Sequence, residues 1–300
     1  MSPIQPHLWF DCPASAAAEF YTGLMPDSAI TYVSHFQIPN GVCEVAAFTF
    51  AGQPFFGISG MPSAGINPSI SFMINFDPSR DADAIKRIDQ VWNQLSDGGK
   101  VMMPIDRYPF SERYGWVADR YGVNWQLILT RAEGEERPVI LPSVIFTGDV
   151  AGRAEEAINF YCSIFKDGKR GVTAYYPTGM EPDQEGTLTF GDFYIDQTWI
   201  AAMDSAHSPG FPFNEAVSLL IICETQDEID QYWTALSADG KPGQCGWLKD
   251  KFGVSWQVTS TVIFEALREG TPAQVDRVLK AFQLMKKVDV TALKRAYRET

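Results

Sequence analysis

Histidine is scarce in this chain: His7, His35 and His207 are the only three in 300 residues. Metal centres built on several imidazoles, and chemistry that needs a choice of histidine bases, are therefore poorly supplied. Basic residues are also in deficit, 24 against 37 acidic ones, and the net charge of −13 repels phosphate backbones and anionic membranes. The five cysteines (Cys12, Cys43, Cys162, Cys223, Cys245) form no Cys-x-x-Cys pair, which argues against a disulfide framework or a structural zinc site and leaves free, mostly buried thiols. No apolar run approaches the roughly 18 residues a spanning helix needs. Met1 to Pro6 carries no Lys or Arg ahead of an apolar stretch. The expectation is a soluble, cytoplasmic protein with no nucleic-acid or membrane partner. No Gly-x-Ser-x-Gly elbow is present either. What remains is ample core material, 45% hydrophobic and 13% aromatic residues, enough for one large domain or two compact ones.

An internal repeat organises that material. Pro6-His7-Leu8-Trp9-Phe10 and Pro142-Ser143-Val144-Ile145-Phe146 both read as strands. Glu19-Phe20-Tyr21 and Asn159-Phe160-Tyr161 each sit in an Ala- and Glu-rich helical stretch that Asp27 or Asp167 closes. Second helices follow, with Ile85, Ile88, Trp92 and Leu95 matching Ile229, Trp233 and Leu236, and they end at Gly99-Lys100 and Gly240-Lys241. Gly115-Trp116 through Trp125-Gln126 then mirrors Gly246-Trp247 through Trp256-Gln257, a hairpin with an Asp-x-x-Gly turn.

Within the first copy, strands are expected at 7–11, 29–37, 42–51 and 53–60, and again at 69–76, 100–105, 114–119 and 124–129. Each copy is thus a doubled βαβββ unit whose two sheets can curl into one cup, an α+β fold. The boundaries expected are 1–130 for the first domain, 131–138 for a charged Gly- and Pro-containing linker, 139–262 for the second domain and 263–300 for a helical tail. In that tail Thr271-Pro272 reads as an N-cap and Asp289 caps a last helix ending near Tyr297. Sixteen positions separate Gly99 from Gly115 but six separate Gly240 from Gly246, so copy one carries an extra loop, Val101 to Arg113.

The string His7-Leu8-Trp9-Phe10-Asp11, the Phe20-Tyr21 helix and the Gly246-Trp247-Leu248-Lys249-Asp250 to Trp256-Gln257 hairpin resemble the PhnB-like branch of the vicinal-oxygen-chelate superfamily, the glyoxalase and bleomycin-resistance fold. This branch often carries the label 3-demethylubiquinone-9 3-methyltransferase. The resemblance implies two tandem domains of that fold, each of two βαβββ modules forming a cup. It also implies a divalent metal in catalytic members, held by a His or similar ligand on the first strand of a half and a Glu on the last. Here His7 and Ser143 stand at the first-strand positions, and Gln126 and Gln257 stand where the Glu would be. A neutral amide gives up most of the attraction for a divalent ion, so no metal cofactor is expected; if one is held, its ligands are His7 and Gln126.

Alternation places His7 and Trp9 in the cup while Leu8 and Phe10 face the helix, and it sends Gln126 inward with Trp125 and Leu127 in the core. Tyr114 and Trp116 share one face. A first cup lined by His7, Trp9, Tyr114, Trp116 and Gln126 suits a flat, partly aromatic small molecule, with Ser143, Ile145, Cys245, Trp247 and Gln257 at the matching positions of a plainer second cup. Asp106, Arg107 and Tyr108 belong either to a lid or to a surface loop without a role. Three activities follow: small-molecule binding in a metal-poor cup, a metal-dependent lyase, isomerase or transferase of the same superfamily, or the labelled methyl transfer. The last lacks a strand leading into a Gly-x-Gly loop and helix. Two fused copies mimic the paired cups of a homodimer, and a homodimer of the whole chain also stays open.

Overall fold

A computed structural model describes residues 4–38, 41–61, 63–131, 135–207 and 210–298, so residues 132–134 of the expected linker and the last two of the tail lie outside the described residues. Four βαβββ modules follow one another. Module I comprises β1 (Gln5–Trp9), α1 (Ala14–Thr22), β2 (Ala29–Ile38), β3 (Gly41–Phe50) and β4 (Gln53–Ser59). Module II comprises β5 (Ile70–Phe76), α2 (Ala84–Ser96), β6 (Lys100–Tyr108), β7 (Ser111–Ala118) and β8 (Asn124–Leu129). Module III comprises β9 (Ile140–Phe146), α3 (Ala154–Ile164), β10 (Lys169–Tyr175), β11 (Leu188–Ile195) and β12 (Thr198–Asp204). Module IV comprises β13 (Val217–Cys223), α4 (Gln226–Ser237), β14 (Lys241–Pro242), β15 (Trp247–Lys249) and β16 (Ser255–Ser260), and helices α5 (Thr261–Glu269), α6 (Pro272–Gln283) and α7 (Val290–Arg298) complete the chain.

The α+β class and the tandem architecture are as the sequence indicates, but the halves are partnered differently. Among the described residues the strands form two eight-stranded sheets, one ordered β14-β15-β16-β13-β1-β4-β3-β2 and the other β10-β11-β12-β9-β5-β8-β7-β6. Module I therefore shares a sheet with module IV, and module II with module III. The seams are antiparallel: β1 lies against β13 with His7 opposite Ser218, and β5 lies against β9 with Ser71 opposite Ser143. Neither copy closes its own cup.

Within a copy the two modules meet instead through their helix-covered faces. Leu8, Phe10, Phe55, Phe72, Trp125 and Leu127 are all buried in one core, with Phe55 and Phe72 rings 5.1 Å apart. At its centre Asp119 accepts from Tyr21 Oη at 2.7 Å, Trp125 Nε1 at 2.8 Å, and the amides of Tyr121 and Val123. The second copy repeats this atom for atom: Asp250 accepts from Tyr161 Oη at 2.7 Å, Trp256 Nε1 at 2.9 Å, and the amides of Phe252 and Val254. The most recognisable repeated motif is thus a latch between the helix of one module and the hairpin of the next, and four donors on one buried carboxylate make it strong.

Three local expectations change. Helices α1 and α3 end at Thr22 and Ile164, and Asp27 and Asp167 take left-handed turns (φ 53° and 54°) in the connections beyond. After α2 and α4 the left-handed residues are Gly98 and Asp239; Gly99 and Gly240 are glycine for a different reason, since a Cβ there would lie 2.5 Å from Ala118 O and 2.4 Å from Lys249 O. The extra segment Val101 to Arg113 is no loop: β6 and β7 run on as a long hairpin that turns at Pro109-Phe110, where β14 has two residues. The strand expected at 100–105 thus runs on to Tyr108, and because β6 has no fully buried row, hydrophobic alternation did not mark its extension.

The tail does dock as helices. Thr271 caps α6 with a reciprocal Gln274 contact, and Asp289 Oδ1 accepts from the Ala292 amide at the start of α7. Phe264 of α5 meets Phe56 at 5.2 Å, Val262, Ile263, Ala266 and Leu267 are buried, and Met285 O and Lys286 O accept from the Cys245 and Gly246 amides. The tail thereby fills the concave face of the module I–IV sheet. Among the described residues no helix is long and apolar enough to cross a membrane.

Candidate functional site

The concave face of the module II–III sheet is open and holds a cavity of about 1260 Å³. Met73, Leu141, Ile128 and Phe190 form its floor, and beneath it they pack in a separate apolar cluster with Trp199, Ala201 and Tyr194. These positions follow from strand alternation, because Leu141, Ser143 and Ile145 share one face of β9 and Trp199, Ala201 and Met203 share one face of β12. Five of the nine methionines, Met25, Met73, Met103, Met180 and Met203, border the cavity, giving it an adaptable lining.

A short polar chain crosses that floor. Tyr114 Oη donates to Gln126 Oε1 at 2.7 Å, and Gln126 Nε2 donates to Ser71 Oγ at 2.8 Å. Opposite Ser71, the buried Ser143 hydroxyl has no partner. Burial holds the Tyr114 phenol above its ordinary range, so the hydroxyl keeps its proton and stays a donor.

At one end of the cup Arg137 stacks 3.5 Å above the Trp199 ring and grips Asp192 with Nε–Oδ2 at 2.6 Å. Gly171 lies under this group, where a Cβ would come within 2.0 Å of Asp192 Oδ1 and 2.8 Å of Trp199. Glu136 pairs with Arg80 of module II, while Asn75 Nδ2 donates to Pro138 O at 2.9 Å. Residues 135–138, expected to be mere linker, are thus fastened to both modules along the wall. Arg137, Trp199, Asp192 and Met73 escaped the sequence reading because it sought the cup within one copy; the β9 and β12 alternation carried the signal.

The residues singled out from sequence divide into two groups. Tyr114, Trp116 and Gln126 line the open cavity. His7, Trp9, Trp247 and Gln257 lie together on the other sheet, His7 stacked 5.7 Å from Phe56 and edge-on 5.6 Å from Trp247, with Trp9 and Trp247 6.1 Å apart. His7 and Gln126 do not share a cup. His7 is 4% exposed, its Nδ1 is unpartnered, and burial lowers its pKa to about 3. His35 stands in strand β2, bonded to Glu44 at 2.9 Å, and His207 lies beside Asp183 at 3.2 Å. All five cysteines are free, and burial pushes the Cys43 and Cys223 thiols up to about 12.

The resemblance implies metal ligands on the first and last strand of each half, and the strand register gathers those positions into two sets. In the filled cup they are His7, Phe56 beside it, Ser218 opposite it and Gln257, whose Nε2 donates to Ser218 Oγ at 2.9 Å. In the open cup they are Ser143, Ala201, Ser71 and Gln126. One imidazole, two neutral amides, three hydroxyls and no carboxylate do not fit a divalent ion, which needs anionic ligands to offset dehydration. Among the described residues no other group of three or more His, Cys, Asp or Glu is gathered closely enough to serve.

A family profile described as 3-demethylubiquinone-9 3-methyltransferase matches residues 2–128 and again 138–259. A putative 3-demethylubiquinone-9 3-methyltransferase, PhnB protein, from Bacillus cereus is 31% identical over 42% of this chain and 98% of its own, with a TM-score of 0.37. Glyoxalase I from Zea mays is 13% identical over 89% of this chain and 98% of its own, with a TM-score of 0.56. A putative dioxygenase from Bacillus subtilis is 10% identical over 99% of this chain and 97% of its own, with a TM-score of 0.50. These last two are similar in fold alone. No curated protein matches the chain.

Proposed function

The chain belongs to the family described as 3-demethylubiquinone-9 3-methyltransferase, and on that premise we propose that it binds a small, partly aromatic molecule without a metal, in the cup that modules II and III build together. The observation that carries this reading is the cavity of about 1260 Å³, whose apolar, Met-rich floor surrounds one hydrogen-bonded line from Tyr114 through Gln126 to Ser71. An apolar cup with a few fixed polar groups, here Tyr114 and Gln126, orients a flat ligand. The donor set ranks this above metal-assisted lyase, isomerase or transferase chemistry in the same fold, because no carboxylate stands at the four positions.

A fluorescent, neutral, flat probe, N-phenyl-1-naphthylamine, tests the reading. At roughly 0.3–0.45 kcal/mol per non-hydrogen atom it should bind with Kd on the order of 10 μM. One equivalent per chain is expected, and Met203→Trp, which fills the cavity from its wall, should abolish binding while Trp247→Phe in the filled cup leaves it intact. Absence of binding to the wild type, or a Zn2+ or Mn2+ titration showing tight stoichiometric metal, would overturn it. S-adenosylmethionine is the comparison arm for the methyl transfer named in the family description.

A further inference from the structure

At one matching place the two concave faces are bordered by different segments. Gly115 and Gly246 hold equivalent positions in the repeated hairpins, and a Cβ there would come within 3.0 Å of Ile105 Cα in the first copy and 3.2 Å of Val288 Cγ2 in the second. The amides of Cys245 and Gly246 donate to Met285 O and Lys286 O, so the tail runs beside the start of β15 as β6 runs beside β7. That tail segment is well anchored, since Val288 is buried and α7 behind it buries Val290 and Leu293.

The hairpin that takes this place at the open cup is held less firmly. β6 is an edge strand, its pairing with β7 shifts register three times between Val101 and Tyr108, and none of its residues is fully buried. Phe110, at the turn, borders the cavity and is nonetheless 56% exposed. The tip itself is braced as one piece: Tyr108 Oη donates to Pro104 O at 3.0 Å, Arg107 pairs with Glu112 across the turn, and the Tyr108 and Phe110 rings stack at 5.7 Å. Phe110 also stands edge-on to Tyr114, 5.0 Å away, and Tyr114 is fixed by its bond to Gln126. Bulges let a strand bend and re-aim its side chains, and a sparsely buried edge hairpin is among the first elements to move.

Resting on the proposed binding role, we infer that Phe110 is the residue that closes the open cup. The braced tip bends inward about Tyr114, and the Phe110 ring covers the outer face of a ligand lying on the floor, burying the part of the ring that is exposed. The extra length of β6 and β7 thereby does on ligand binding what the docked tail does permanently for the other cup. Arg107 and Tyr108 serve this closure by bracing the tip, without touching the ligand.

Stopped-flow fluorescence with N-phenyl-1-naphthylamine on the full chain separates arrival from release. Phe110→Ala, an exposed position with little bearing on folding, should speed release about three- to tenfold, the worth of one aromatic contact, while the association rate changes by less than about twofold. Phe110→Tyr, which keeps a ring at the tip, should restore slow release. Hydrogen exchange of the amides of 104–112 should slow on saturation with the probe in the wild type and not in Phe110→Ala. Unchanged release in Phe110→Ala, or amides that exchange equally with and without the probe in the wild type, would overturn the closure while leaving the cup as a binding site. A probe that does not bind the wild type would overturn the binding role and the inference with it.

Discussion

Lowering the pH from 7.5 to 5.0 should cost this protein stability through one residue, His7. Its ring is buried against Phe56 and Trp247, and burial depresses its pKa from 6.5 to about 3. Between those values the unfolded chain binds a proton that the folded one does not, so stability rises with pH: the contribution is full above 6.5 and is lost progressively as pH falls toward 3. At pH 5.0 the loss is RT ln(1 + 10^1.5), about 2 kcal/mol, and it depends little on the folded value so long as that lies below 4. Urea denaturation of the wild type and of His7→Phe at both pH values isolates the effect, since the two proteins differ only at that ring. The variant should lose about 2 kcal/mol less than the wild type. At pH 7.5 it should be no less stable, because the unpartnered Nδ1 is removed and a similar ring remains on Phe56. Equal losses in the two proteins, or an NMR titration placing folded His7 near 6.5, would refute the enclosure of the filled cup.

The latches offer a symmetric test: Tyr21→Phe and Tyr161→Phe each remove one hydrogen bond to a buried carboxylate and should each cost about 1.5–3 kcal/mol by chemical denaturation. Asp119→Ala should cost more, about 3–5 kcal/mol, as it strands Tyr21, Trp125 and two amides together. Gly171→Ala should displace Arg137 from Asp192 and Trp199, which a changed near-ultraviolet tryptophan signal and weaker probe binding would report. Phe264→Ala should lower stability by about 2 kcal/mol, as expected for a half-buried ring, yet leave probe stoichiometry at one per chain.

Much of the fold was legible because its signals are local. The alternation that buries Leu8 and Phe10 while turning His7 and Trp9 the other way depends only on β1, and the Tyr21 and Tyr161 helices recur in the sequence because each latches to an Asp-x-x-Gly hairpin in its own copy. The pairing of halves was not legible. A seam between β1 and β5 would satisfy the same alternation as the observed seam of β1 with β13, and nothing in either strand selects its partner. That choice regrouped the candidate site: Tyr114, Trp116 and Gln126 keep their place in a cup, but Leu141, Ile145 and Met203 of the second copy join them instead of His7 and Trp9. Arg137 was hidden for another reason, since a charged segment with Gly and Pro reads as linker whether or not its arginine finds a buried carboxylate and a tryptophan face.

Methyl-labelled methionine gives the most direct reading of where a ligand sits, because five of the nine methionines border the open cup and Met285 belongs to the tail that fills the other. On titration with N-phenyl-1-naphthylamine, the methyl resonances of Met73, Met103 and Met203 should shift together and saturate at one equivalent, while that of Met285 stays in place. Shifts confined to Met285 and Met61, or none at one equivalent, would contradict a ligand site in the cup that the two copies share.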